Sequence, residues 1–149
     1  RQMCIRDSLK TVLKGGIGKF SQPPQFQETD AVFGTPGLAS NNALHYALGV
    51  EQGLTKQVEL SVEGFYKDLY GFVGQSPDAR GVFGYNNDAS GRIVGLETLL
   101  KYNADERFFG WVSYTLSESI RRNCPTCADT RFQYDQTHIL IILGSYRLG

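Results

Sequence analysis

The stretch at residues 91–119, GRIVGLETLLKYNADERFFGWVSYTLSES, constrains the fold more than any other part of the chain. Val94, Leu96, Thr98, Leu100 and Tyr102 fall on one side of an extended arm, and Ile93, Gly95, Glu97, Leu99 and Lys101 on the other. Beyond the polar turn Asn103-Ala104-Asp105-Glu106, Phe108, Gly110, Val112, Tyr114 and Leu116 alternate with Phe109, Trp111, Ser113, Thr115 and Ser117. A period of two held over about ten residues per arm is a strand signal, not a helical one. It is also roughly the strand length that crosses a bilayer at a tilt. The pattern predicts an antiparallel hairpin with long arms.

The same alternation recurs along the chain. Residues 9–20 read as a glycine-rich strand and residues 43–52 as a second, with Leu44, Tyr46, Leu48 and Val50 against His45, Ala47, Gly49 and Glu51. A short turn at 53–56 leads to a strand at 57–72, where Val58, Leu60 and Val62 oppose Glu59, Ser61 and Glu63. The last strand, 134–148, has an apolar centre at 139–143. Three longer connections lie at 21–42, 75–90 and 120–133; the GVFGY string within the second is itself strand-like. The expected architecture is all-β: an antiparallel, up-and-down sheet of about six strands, with long loops at one end and short turns at the other. Loops this long are uncommon in compact soluble domains, whereas outer-membrane barrels pair short periplasmic turns with long extracellular loops. The sheet then reads as a curved segment of a transmembrane β-barrel.

Composition agrees. Seventeen glycines, eight Tyr and nine Phe with a single Met suit strands. The formal net charge is zero, which removes the electrostatic case for a nucleic-acid partner. Apolar runs never approach about eighteen residues, so no transmembrane helix is expected; a barrel would show none either, because half of each strand faces a polar lumen. Residues 1–8, RQMCIRDS, lack an apolar core and cleavage site and are no signal peptide. They resemble the translation of a transposase adapter used in DNA library preparation. We read 1–8 as a sequencing artefact and 9–149 as a partial barrel domain, cut at both ends.

Several strings in order resemble the C-terminal barrel of TonB-dependent outer-membrane receptors: GGIGKFSQPPQ at 15–25, HYALGVEQ at 45–52 and VELSVEGFYKDLYGFV at 58–73. GRIVGLETLLKY at 91–102, GWVSYTLSES at 110–119 and YDQTHIL through GSYRLG at 134–149 continue the series. The resemblance implies a plugged barrel of about twenty-two strands. It also implies a bacterial outer-membrane location, contact with outer-membrane lipid, and a nutrient ligand held at the extracellular loops. Energy would come from the TonB complex through a plug domain absent from this chain. Active uptake of a scarce nutrient, such as a ferric siderophore, follows, with no catalysis and no cofactor. A passive porin or adhesin barrel is the alternative, and a soluble carbohydrate-binding β-sandwich a more distant one.

Cys124 and Cys127 in CPTC lack the second pair a zinc site needs and the helix start of a redox motif. A disulfide pinning an extracellular loop is the favoured reading, against two free thiols. Asn86, Asp88, Ser90, Gly91 and Glu97 match part of a calcium loop, but its flanks are strand-like where helices are required. Gly18-Lys19 is followed by Phe20 where a phosphate loop needs Ser or Thr. His45 and His138 have no nucleophile motif beside them, so no catalytic or metal residue is assigned. Glu51, Glu59, Glu63, Lys67, Glu97 and Lys101 lie opposite the apolar rows and are lumen-facing candidates. Tyr102, Phe108 and Tyr146 near the turns, and Tyr66, Tyr70 and Phe72 toward the loops, are girdle candidates. Two further expectations follow: the outer edges of 9–20 and 134–148 are unpaired, and the rows Leu44/Tyr46/Leu48/Val50 and Val94/Leu96/Leu100 share one exposed face. Burial of those rows under a second sheet would favour the sandwich.

Overall fold

The computed structural model describes residues 3–6, 11–77, 83–103 and 107–148. The strands are β1 (Met3–Arg6), β2 (Thr11–Gln22), β3 (Asn41–Gly53), β4 (Val58–Pro77), β5 (Phe83–Tyr102), β6 (Phe108–Arg122), β7 (Thr130–Arg131) and β8 (His138–Tyr146). One short helix, α1 (Phe26–Thr29), sits in the first long connection. Every pairing is antiparallel and between sequence neighbours, except that both β7 and β8 pair β6. The result is a single open up-and-down sheet.

A sheet without a second layer exposes both faces. The accessible surface is 10853 Å², whereas a compact protein of this mass has about 7,600 Å². Among the described residues only Leu69 and Ala89 are buried apolar side chains, and none is fully enclosed. The apolar rows lie open: Leu48 is 63% exposed, Val94 47% and Leu96 46%, with Leu44 half-buried on the same face. No second sheet covers them among the described residues.

The register differs from expectation in four places. Met3–Arg6 pairs with β2 from Gly15 to Val12, so the outer edge of that strand is partly covered. The outer edge of β8, in contrast, has no partner among the described residues. The second long loop is largely hairpin: β4 and β5 each run 20 residues and stay paired from Gly74 and Asn86 to Pro77 and Phe83. Apart from the GVFGY string, their outer ends at 74–77 and 84–88 are mostly Gly, Gln, Ser, Asn and Asp, which leaves little apolar alternation to read. Only 78–82 of that connection lie outside the described residues, as do Ala104, Asp105 and Glu106 of the short turn. Finally, the last strand begins at His138, and Tyr134 precedes it.

A bulge accounts for the fourth difference. Gly71 has φ +62, a left-handed conformation that glycine adopts at low cost. The register jumps from Leu69↔Gly91 to Phe72↔Ala89, so β4 gains one residue there. Because side chains alternate with period two, one extra residue moves Phe72 to the face opposite Tyr66 and Tyr70. Phe72 is therefore not part of an aromatic row with those tyrosines.

Candidate functional site

Strand register sorts the side chains into two chemically distinct faces. On the outer face, transverse rows run across the strands: Leu13–Val50–Val62–Thr98–Tyr114–Leu140, then Gly15–Leu48–Gly64–Leu96–Leu116–His138. A third row, Leu60–Leu100–Val112–Ile142, lies toward the turns. Tyr102 and Phe108 close this band at the turn end with ring centroids 5.5 Å apart, next to Tyr146 opposite Phe108. Tyr46 and Tyr66 close it at the loop end, 6.3 Å apart. From Phe108 to Glu118 is ten residues along β6, about 33 Å of strand and about 25 Å of height at a tilt near 40°. That matches the apolar band of a bilayer-spanning barrel. His138 lies within it, its Nδ1 2.8 Å from the Tyr114 hydroxyl, as does Thr98, and the third row continues past Leu60 to the bonded polar pair Gln52 and Thr11.

Charge appears on this face at the tyrosine row itself, with Glu118 opposite Val94, and one row beyond it Lys19, Asp68, Arg92 and Arg131 share a row with Leu44 and Ile120. The arginines there are paired with acids. Arg122 donates to Asp129 at 2.7 Å, Arg92 approaches the same carboxylate at 3.7 Å, and Arg131 donates to Glu118 at 2.7 Å. The hydrogen bond and charge of Glu118 hold Arg131 above its ordinary pKa.

The inner face is polar over β2 to β5. Glu51, Glu59, Glu63, Lys67, Glu97 and Lys101 all project from it: Glu59 is opposite Lys101, Glu63 opposite Glu97, and Glu51 opposite Ser61. Lys14 bonds the Glu51 carboxylate. Phe65 lays its ring across Gly95, where an added Cβ would stand 2.4 Å from the ring edge, and Lys67 lies 5.3 Å above that ring. Toward β8 the same face turns apolar through Trp111, Ile139, Ile141 and Leu143.

His45 lies tilted against Phe20 with ring centroids 4.4 Å apart on the inner face, whereas His138 is on the outer one, so the two histidines are not brought together. The calcium-loop pattern is strung along β5, with Ser90 and Glu97 on opposite faces. Gly18-Lys19 lies within β2. No group of three metal-ligating side chains occurs among the described residues. Cys124 and Cys127 are bonded, with Cα atoms 5.0 Å apart, in the turn between β6 and β7.

The long connections are ordered by polar side chains that no periodicity marks. Asn87, the residue β5 gains opposite the bulge, accepts from the Ala39 N–H at 2.8 Å and donates to the Ala39 and Gly71 carbonyls at 2.9 Å each. Asn41 accepts from the Val73 N–H at 2.7 Å. Residues 23–40 are thereby tied to the extended β4–β5 hairpin. Within them, Glu28 caps α1 by accepting the Gln25 N–H at 2.7 Å, and Asp30 accepts from Val32 and Phe33. Arg121, absent from the sequence-level candidates, lies at the loop end of the inner face against Phe132.

Among solved structures, one named copper transporter OprC superposes on 82% of this chain with a TM-score of 0.55 and 14% sequence identity. The chain spans 20% of that protein's length. No family model matches the sequence, and no curated protein matches it. The likeness is one of fold: an antiparallel up-and-down sheet laid over a stretch of a longer β-structure.

Proposed function

We propose that this sheet is a panel of the wall of a TonB-dependent receptor in the bacterial outer membrane, a protein that takes up a scarce nutrient such as a ferric siderophore. One observation carries the reading. An apolar outer band of about 25 Å, rimmed by tyrosine and phenylalanine, backs onto a charged inner face on the same strands. A soluble sheet has no reason to expose such a band, since fully burying each Leu or Val is worth about 1.5–3 kcal/mol. A bilayer covers it, and the alternation then faces Glu51, Glu59, Glu63, Glu97 and Lys101 into a hydrated lumen. The likeness to a copper transporter supports a transport role and widens the cargo to scarce metals and their chelates.

In this account the loops at 23–40 and 123–137 meet the ligand, and the TonB complex acts through a plug domain that this chain does not include. The barrel wall performs no bond chemistry. Uptake of a labelled ferric chelate by cells producing the complete protein tests the reading. Transport that stops when TonB is deleted or the proton-motive force is collapsed supports it; transport that continues unchanged identifies a passive pore.

A further inference from the structure

Arg121 is the arginine of the loop end without a carboxylate. Its neighbours Arg92, Arg122 and Arg131 are each held by Asp129 or Glu118, but Arg121 enters none of the ion pairs found among the described residues. Its guanidinium carbon lies 3.7 Å from the centroid of the Phe132 ring and 5.9 Å from that of Phe72. Stacking fixes the plane of the fork while leaving its N–H edge available. The Nε atom is closed off from solvent and has no hydrogen-bond partner. A buried donor left unsatisfied is costly, and more so when charged.

Beside it opens a cavity of about 280 Å³ lined by Arg121, Asn123, Thr130, Arg131, Phe132 and Gln133. Arg121 and Phe132 meet there on the inner face beside Asn123, Thr130 and Gln133, whereas Arg131 lines the cavity while its guanidinium is held by Glu118 on the other face; no carboxylate is among the lining residues. An adjoining cavity of about 160 Å³, which Arg121 also borders, is different, because Asp68 and Asp129 line it beside Arg92 and Arg122. The pairing Arg121↔Thr130 and the bond from the Thr130 hydroxyl to the Arg121 carbonyl at 3.2 Å hold the return strand in place. The disulfide fastens the turn between them, and with it the approach of Phe132.

We propose that the larger cavity is an oxyanion site, in which Arg121 receives a carboxylate or phosphate group of a small soluble ligand and Phe132 covers one side of the fork. Arginine presents paired N–H donors that match such groups bidentately. The volume is just below the range of about 300–1,000 Å³ typical of small-molecule pockets, which fits one anionic group or a very small acid. The assignment rests on loop-end geometry and holds whether or not the sheet belongs to a transport barrel.

Calorimetric titration of the complete detergent-purified protein with inorganic phosphate and with succinate, at low salt, tests it. We expect saturable binding of at least one probe, weakened at least tenfold in Arg121→Gln and less in Arg121→Lys, which keeps the charge but not the fork. Arg92→Gln, at a paired arginine outside this cavity, leaves affinity unchanged. Thermal unfolding of each variant separates loss of the site from loss of the fold. If Arg121→Gln does not fold, Arg121→Lys and Phe132→Leu carry the comparison, with weaker binding expected in both. No saturable binding of either probe by the wild type, or wild-type affinity in the folded Arg121 variants, overturns the proposal. Binding that depends on Arg121 in a protein found outside the outer membrane would refute the transport reading and leave the site standing.

Discussion

Leu100→Arg puts the outer-face assignment at risk in a measurable way. Leu100 is 42% exposed at the centre of the sheet, flanked by Leu60 on β4 and Val112 on β6. Each two-residue step along a strand tilted near 40° rises about 5 Å. Leu100 is two steps in from the Phe108/Tyr146 rim, so it lies about 10 Å into a band about 25 Å high, within about 3 Å of the middle. Arginine at that depth on a lipid-facing position costs about 2–4 kcal/mol. On a water-facing surface the same exchange stays within about 0.5 kcal/mol. The assay is urea unfolding of the complete protein in phosphatidylcholine vesicles, followed by heat-modifiable gel migration. Thr115→Arg is the control, because its side chain projects from the inner face opposite Glu97 and the new charge gains a partner. A loss below about 0.5 kcal/mol for Leu100→Arg, or equal losses for the two variants, would refute the reasoning.

Other positions give independent checks. Asn87→Ala removes three hydrogen bonds to the backbone of Ala39 and Gly71; a loss of about 1–3 kcal/mol is expected, read as faster proteolysis within 23–40, and unchanged cleavage would show that the clamp is dispensable. Gly95→Val drives a Cβ into the Phe65 ring and to 2.9 Å from the Leu116 carbonyl; a cost of about 1–3 kcal/mol is expected in the same unfolding assay, against little change for Gly16→Ala, which meets nothing within 4 Å. Cys124→Ser with Cys127→Ser opens a short loop worth about 2 kcal/mol by chain entropy. Amide exchange should quicken in β7 and leave β3 to β5 unaffected, and a global loss of protection would contradict that local role.

Much of this architecture is legible in the residues because one face of β3, β4 and β5 is apolar over most of its length and the other is polar. Leu96 and Glu97 can only be separated by an extended chain, and the register places Leu96 beside Gly64 and Leu116 and Glu97 beside Glu63 and Thr115. What escapes is whatever depends on a partner strand. The bulge at Gly71 inverts Phe72, and a glycine in a strand does not announce whether it will take positive φ. The hairpin beyond it is mostly Gly, Gln, Ser, Asn and Asp, so outside the GVFGY string its pairing leaves little periodic trace and reads as loop. The pairing of Met3–Arg6 with β2 is likewise a backbone event. Arg121 was invisible because its distinction is an absence: four basic residues near the β6–β7 turn look alike until three are seen to hold acids. Cys124 and Cys127, in contrast, are three apart and need no tertiary information to meet.

The central claim is that alternate residues of one strand face lipid and water. Single cysteines placed along β5 from Ile93 to Leu100, in a version of the complete protein without other thiols, measure it directly in outer-membrane vesicles. A water-soluble maleimide should label positions 93, 97 and 99, while positions 94, 96, 98 and 100 should resist it and be quenched by brominated lipid once tagged with a small fluorophore; position 95 is left as glycine because Phe65 covers it. Uniform labelling along the strand, or protection of the odd positions and reactivity of the even ones, would contradict the account.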